Sequence, residues 1–165
     1  MIVVADAGPI IHLSLVNKAN LFALLYRWVL VPTEVYEEVV VAGAGLPGSL
    51  ELAQATWSEI VAEPVEEDVV PGLKAQLGAG EAAAIFHAIT RRADLILSDD
   101  RQARKAARNL SFRVKGTLGI LLEAKRRGHV VEVAPSLVEL RSRGTWISDE
   151  LMARVLLEAG EREPG

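Results

Sequence analysis

Five short strand-like runs, four of them chiefly apolar and most closed by a turn signal or a helix-starting residue, constrain this chain more than any other feature. They are Ile2-Val3-Val4-Ala5, Trp28-Val29-Leu30-Val31, Ile60-Val61-Ala62, Leu95-Ile96-Leu97-Ser98 and Phe112-Arg113-Val114. The first stops at Asp6-Ala7-Gly8-Pro9 and the second at Pro32. Apolar runs this short, bounded by Gly or Pro, read as buried strands rather than helices. The stretches between them are helix-compatible: Ile10 to Leu25, a helix opened by Thr33 as N-cap, Leu50 to Trp57, Glu81 to Ile89, Arg101 to Asn109 and Thr117 to Arg127. Two further helical segments, Pro135 to Arg143 and Asp149 to Ala159, follow, while Gly43, Gly45 and Pro47 mark a loop. Strands alternating with helices imply a parallel sheet covered on both faces, an α/β fold.

With 165 residues the chain is long enough for one core, so residues 1–161 read as a single domain and 162–165 as a frayed, charged tail. Half the residues are hydrophobic but only 5% are aromatic, which leaves Ala, Val and Leu to fill that core. A net charge of −4 carries no global signature of nucleic-acid binding; any such binding has to come from a local basic stripe. The chain has no cysteine, which excludes disulfides and thiolate-held metal. No run reaches the ~18 uncharged apolar residues of a membrane helix, and Asp6 and Pro9 interrupt the N-terminus too early for a signal peptide. The expectation is a soluble, cytoplasmic protein.

Asp6 and Asp99 share a context, each ending a buried strand and preceding a helix. In a parallel sheet both fall on the edge where such sheets bind ligands. Glu81 stands in the first turn of a helix entered through Gly80, and Glu38 lies one turn beyond Glu34 on the helix after the second strand. Taken singly, each has an ordinary reading: Asp99 or Asp100 as an N-cap, Glu81 as a dipole-compensating residue, Glu34, Glu37 and Glu38 as a solvated face. Asp6, beside a sharp Gly-Pro turn at the end of the first strand, points to a site. Carboxylates gathered together repel and raise one another's pKa unless a cation intervenes. Mg²⁺, which prefers oxygen ligands and keeps several waters, suits such a set and can activate water for attack on a phosphoryl group.

Arg101, Arg104, Lys105 and Arg108 recur at i, i+3, i+4 and i+7, opposite Ala103, Ala106, Ala107 and Leu110. This stripe begins directly after Asp99-Asp100 and would flank the acidic site with charge suited to a phosphate backbone; Lys115 and Lys125-Arg126-Arg127 extend it. His12, His87 and His129 show no zinc-like spacing and read as structural or exposed, and no Ser–His–Asp set suggests a nucleophilic hydrolase.

Four segments, Asp6-Ala-Gly-Pro-Ile-Ile, Val31-Pro-Thr-Glu-Val-Tyr-Glu-Glu38, Gly78-Ala-Gly-Glu81-Ala and Leu97-Ser-Asp-Asp-Arg-Gln-Ala-Arg104, fall in an order that resembles PIN-domain proteins. Lys115-Gly-Thr-Leu-Gly-Ile-Leu-Leu-Glu-Ala-Lys125 and Ser148-Asp-Glu-Leu resemble the DUF3368, VapC-like subgroup. The resemblance implies a three-layer α/β/α sandwich around a mostly parallel sheet, with acidic residues at its C-terminal edge. It also implies a Mg²⁺- or Mn²⁺-dependent endoribonuclease, the toxin of a VapBC-like pair, with RNA as substrate, a small antitoxin as partner and a homodimer among its assemblies. Carried over by position, Asp6, Glu38, Glu81 and Asp99 are the catalytic set. Asp6 and Asp99 lead as metal ligands, Glu81 supports them, and Asp100 competes with Asp99. Two alternatives stand beside this reading. One is a catalytically weak PIN-like module that binds RNA or antitoxin. The other is a flavodoxin-like phosphoacceptor, which needs an acceptor Asp after the third strand where the chain has Glu63. One departure bears on the site. Many relatives carry a hydroxyl just after the first Asp, but here Ala7-Gly8 follow, so a hydrogen bond orienting the Asp6 carboxylate is expected to be missing.

Overall fold

The structure, a computed structural model, describes residues 1–162; residues 163–165 of the expected tail lie outside the described residues. The chain divides into two compact units, Met1–Thr117 and Leu118–Gly165.

The first unit holds a five-stranded sheet: β1 (Val3–Ala5), β2 (Val29–Pro32), β3 (Ser58–Val61), β4 (Leu95–Leu97) and β5 (Val114–Lys115). Every pairing is parallel and the spatial order is β3-β2-β1-β4-β5. The fold is thus α/β, with helices around a sheet that is all-parallel. β1, β2 and β4, all-apolar, are buried throughout, as central parallel strands must be. The edge strand β3 leaves Glu59 and Ile60 exposed.

The connections from β1 run to one edge of the sheet, through β2 and β3, and those from β4 to the other. The β1/β4 boundary is therefore the switch point where such sheets open a crevice beyond their C-terminal strand ends. The register Ala5↔Leu97 brings Asp6 and Ser98, the next residues, side by side at that crevice.

Helix α6 (Ala79–Thr90) packs on the sheet through Ala84, Ile85, Phe86 and Ala88, against Val4, Leu30, Val61 and Ile96. Its alanines let the helix axis come close to the strands, which answers the shortage of aromatic residues. Filling such a position with a fully buried Ile or Phe contributes about 1.5–3 kcal/mol. The helix expected from Ile10 to Leu25 is two: α1 (Ala7–Leu15) and α2 (Leu21–Tyr26). Asn17 adopts φ 56°, a left-handed backbone that ends the first helix and that Asn tolerates better than most residues. Thr33 is the first residue of α3 (Thr33–Tyr36) rather than its cap, and its hydroxyl bonds the Val61 carbonyl. α3 continues as a π-helical segment, Glu37–Ala42. Two short helices follow, α4 (Ser49–Ala53) and α5 (Leu73–Gln76), and α7 (Arg101–Asn109) joins β4 to β5.

The second unit carries most of α8 (Thr117–Arg126), with α9 (Ala134–Ser142) and α10 (Asp149–Glu158). Ser148 caps α10 by accepting from the Leu151 N–H at 3.1 Å. The Glu161 carboxylate bonds the Val133 and Ala134 N–H groups at the start of α9 and the Lys125 ammonium of α8, at 2.6–2.8 Å, so one side chain ties three helices. Met152, Val155 and Leu156 are buried, while Leu157 is exposed. Among the described residues no helix is long and apolar enough to cross a membrane.

Candidate active site

Asp6 ends β1 and caps α1. Its backbone N–H donates to the Leu97 carbonyl at 2.9 Å, and its Oδ1 accepts the Ala7 N–H at 2.6 Å. The expectation that this carboxylate lacks an orienting hydroxyl is corrected here. Ser98 Oγ, from the end of the neighbouring strand, donates to Asp6 Oδ2 at 2.9 Å. The hydroxyl comes from 92 positions away because register, not sequence proximity, decides what lies beside a strand end. With Asp6 only 3% exposed, burial pushes its carboxyl up to about 7. The nearby charges of Glu81 and Glu38 add to the rise, against the Ala7 and Ser98 hydrogen bonds.

Glu38 projects from the π-helical segment, and burial followed by the charge of Glu81 raises its pKa. Glu81 sits in the first turn of α6 and folds back over Gly78, where a Cβ would collide with its carboxylate. Gly80 lies between the others: a Cβ there would stand 3.1 Å from Glu38 Oε2 and 3.7 Å from Asp6 Oδ1. A bare backbone at Gly80 is therefore what lets two carboxylates share the opening of α6. Asp6, Glu38 and Glu81, drawn from three separate elements, form one negatively charged cradle. None of the three makes an ion pair among the described residues.

Asp99 is brought to the same edge but into different company. Its Oδ1 accepts the Thr117 N–H at 2.7 Å, and its Oδ2 accepts the Thr117 hydroxyl at 2.6 Å and lies 2.7 Å from His12 Nδ1. Burial works to raise the Asp99 carboxyl, but these hydrogen bonds outweigh it and hold the group below the ordinary carboxylate value. Asp100 is exposed, and its Oδ1 caps α7 by accepting the Ala103 N–H at 2.7 Å. Ser98 and His12 are the participants that sequence reasoning missed. Gly8 and His12 lie one helical turn apart on α1, and a Cβ on Gly8 would stand 3.1 Å from the Asp99 Cβ, so the helical spacing carried the signal for His12.

Along α7, Ala103 and Ala107 are buried, Arg101, Lys105 and Arg108 are exposed, and Arg104 is half-buried. Among the described residues none of these four cations makes an ion pair. Arg104 Nη1 and Asp99 Oδ1 lie 2.9 and 2.7 Å from where a Gly116 Cβ would stand, which sets this guanidinium at the margin of the site. Lys125, Arg126 and Arg127, expected to extend the stripe, are instead paired with Glu161, Glu158 and Glu123.

Among the described residues no three His, Asp or Glu side chains are drawn close enough to hold a metal as they stand. The chemistry of the Asp6–Glu38–Glu81 cradle nonetheless fits a hard divalent cation. It offers oxygen donors only, with unrelieved negative charge around a glycine that leaves room.

The family model of DUF3368, a PIN domain, matches residues 2–161, and no curated protein matches the chain. Nearly the whole chain is covered, through both compact units, and the all-parallel sheet with acidic residues at its C-terminal edge is the architecture of a nuclease-type fold. The chain belongs to the DUF3368 family of PIN domains.

Proposed function

We propose that this protein is a metal-dependent endoribonuclease that hydrolyses RNA phosphodiester bonds, acting in the cytoplasm as the toxin of a VapBC-like pair. The observation that carries the reading is the cradle of Asp6, Glu38 and Glu81. It gathers three carboxylates around one buried group, whose carboxyl is pushed up to about 7 first by burial and then by the charges of Glu81 and Glu38, beside a helix whose four cations have no ionic partner among the described residues.

Asp6, Glu38 and Glu81 would hold Mg²⁺ or Mn²⁺, which when bound supplies an activated water and relief of phosphoryl charge. Ser98 and the Ala7 N–H fix the Asp6 carboxylate, the first requirement of a precise site. Arg101, Lys105 and Arg108 attract and hold the phosphate backbone, and Arg104 stands where the strand would meet the acidic residues. Support for a protein partner, such as a small antitoxin or a second copy, comes from Val131, Trp146 and Leu157, each at least 80% exposed.

The testing experiment is Mg²⁺-stimulated cleavage of RNA by the wild type and by Asp6→Asn, with circular dichroism to verify the fold. Loss of cleavage with the fold retained is the expected result; unchanged cleavage refutes the assignment. A second reading, a catalytically weak RNA- or antitoxin-binding module, draws on the separation of the carboxylates. It predicts RNA binding by the wild type without metal-stimulated turnover.

A further inference from the structure

The acidic residues at the sheet edge are not equivalent. Asp99 spends both oxygens on three donors, two of them from Thr117, a residue only 3% exposed. Pulling the carboxylate away would strand the buried Thr117 N–H and hydroxyl, an outcome folded proteins avoid. The first turn of α1 walls the same carboxylate from the other side, since Gly8 leaves only enough space for Asp99 itself. Asp6 also holds a hydrogen bond on each oxygen, but its neighbours are Glu38 and Glu81. The charges of these three residues are crowded together without an ionic partner, whereas hydrogen-bond donors surround Asp99. A cation binds where negative charge is unopposed, and that is the cradle rather than Asp99.

Hydrogen bonding also specifies what Asp99 does instead. An ionised Asp99 requires His12 to carry its hydrogen on Nδ1, which fixes the tautomer and the plane of the ring. The imidazole side chain is 27% exposed, and Nε2 has no hydrogen-bond partner among the described residues. It lies next to the carboxylate whose other neighbour is the half-buried guanidinium of Arg104. A braced, partly exposed ring in that position is a contact for the nucleic-acid strand.

We propose that Asp99 stands outside the cation-binding set and serves as a positioning residue, the Thr117–Asp99–His12 chain holding the His12 imidazole as an RNA contact at the margin of the carboxylate cradle. This rests on the reading of the site as a metal-dependent ribonuclease, and it departs from the ligand role that the family resemblance implies for Asp99.

The test combines Mn²⁺ titration calorimetry without RNA and steady-state cleavage of a single-stranded RNA oligonucleotide. It uses the full chain with Asp6→Asn, Asp99→Asn, His12→Ala, His12→Asn and the Asp99→Asn/His12→Ala double variant. Asp6→Asn is expected to lose Mn²⁺ binding, whereas the Asp99 and His12 variants keep it to within about threefold, less than the ~10–100-fold that follows loss of a group supporting a metal. Asp99→Asn and His12→Ala each raise KM for RNA by about tenfold, as loss of a charge-assisted hydrogen bond does, and the double variant is no worse than either single one. His12→Asn keeps a donor for Asp99 and guards against misfolding; its KM stays raised because Nε2 is gone.

Loss of Mn²⁺ binding in Asp99→Asn would overturn the inference while leaving the ribonuclease reading intact. So would an unchanged KM in His12→Asn, or additive losses in the double variant. A wild type that fails to bind Mn²⁺, or an Asp6→Asn variant that binds it equally well, overturns the ribonuclease reading and the inference with it.

Discussion

Replacing Asp6 by asparagine should make the metal-free protein more stable at pH 8, although it removes a residue central to the site. In the folded chain the Asp6 carboxyl is pushed from 3.8 to about 7, with burial as the first cause and the charges of Glu81 and Glu38 adding to it. Because the folded pKa is raised, the native state binds the proton more tightly than the unfolded chain does. Stability is therefore unaffected below the unfolded pKa, falls as pH rises between the two values, and stays low above the folded one. A rise of roughly three units corresponds to about 4 kcal/mol at pH 8, of which about half is already felt at pH 5.5. Asparagine has no charge to desolvate, its carbonyl can accept the Ala7 N–H, and its amide can donate to Ser98 Oγ. Urea unfolding in EDTA, followed through buried Trp57, should show the Asp6→Asn advantage growing by about 2 kcal/mol from pH 5.5 to pH 8. Added Mn²⁺ should stabilise the wild type at pH 8 and leave the variant unmoved. A variant less stable than wild type at pH 8, or an advantage that does not change with pH, refutes the reasoning.

Four further outcomes follow from the same geometry. Ser98→Ala should cost about 1–3 kcal/mol, because it strips a donor from a buried carboxylate, and should move the Asp6 titration seen by NMR to higher pH. Gly80→Ala should leave urea stability nearly unchanged while weakening Mn²⁺ binding about tenfold in calorimetry, because its Cβ intrudes between Glu38 and Asp6. Lys105→Ala should reduce the slope of log K against log salt for single-stranded RNA by about 0.7, read by fluorescence anisotropy. His87 is fully buried with neither ring nitrogen hydrogen-bonded, and burial lowers its pKa against the pull of Glu63 and Glu34. As pH falls below the unfolded value near ~6.5 the unfolded chain takes up a proton that the folded ring resists, so stability is lost from there down to the lower folded value. His87→Leu should therefore gain more stability at pH 5 than at pH 8 in the same urea assay.

The fold was largely legible because its central strands are short, all-apolar runs, chiefly of Val, Leu, Ile and Ala, where they are buried, and because Gly and Pro punctuate the chain around them. Val3–Ala5 and Leu95–Leu97 announce themselves; Ser58–Val61 does not, since an edge strand carrying Ser58, Glu59 and Ile60 has a burial pattern that matches no simple template. Asn17 was hidden for a different reason: a single left-handed residue splits a helix without disturbing the apolar spacing around it. At the site, the residue types and their order were readable, but their partition was not. Whether a carboxylate meets another carboxylate or a set of donors depends on strand register and on which face of α1 and α6 looks inward. Ser98 became Asp6's partner through the pairing of β1 with β4, and the π-helical turn that swings Glu38 over Gly80 leaves no mark in the hydrophobic pattern.

The bond from Ser98 to Asp6 sets a schedule for synthesis. At about 5–20 residues per second, a ribosome delivers the serine roughly 5–20 s after the aspartate, and Glu81 emerges only shortly before it. Until then Asp6 has only the Ala7 N–H to aim its carboxylate, because β1 can pair with β2 but lacks its β4 neighbour. A nascent or prematurely terminated chain therefore carries the first residue of the cradle without the hydroxyl that orients it.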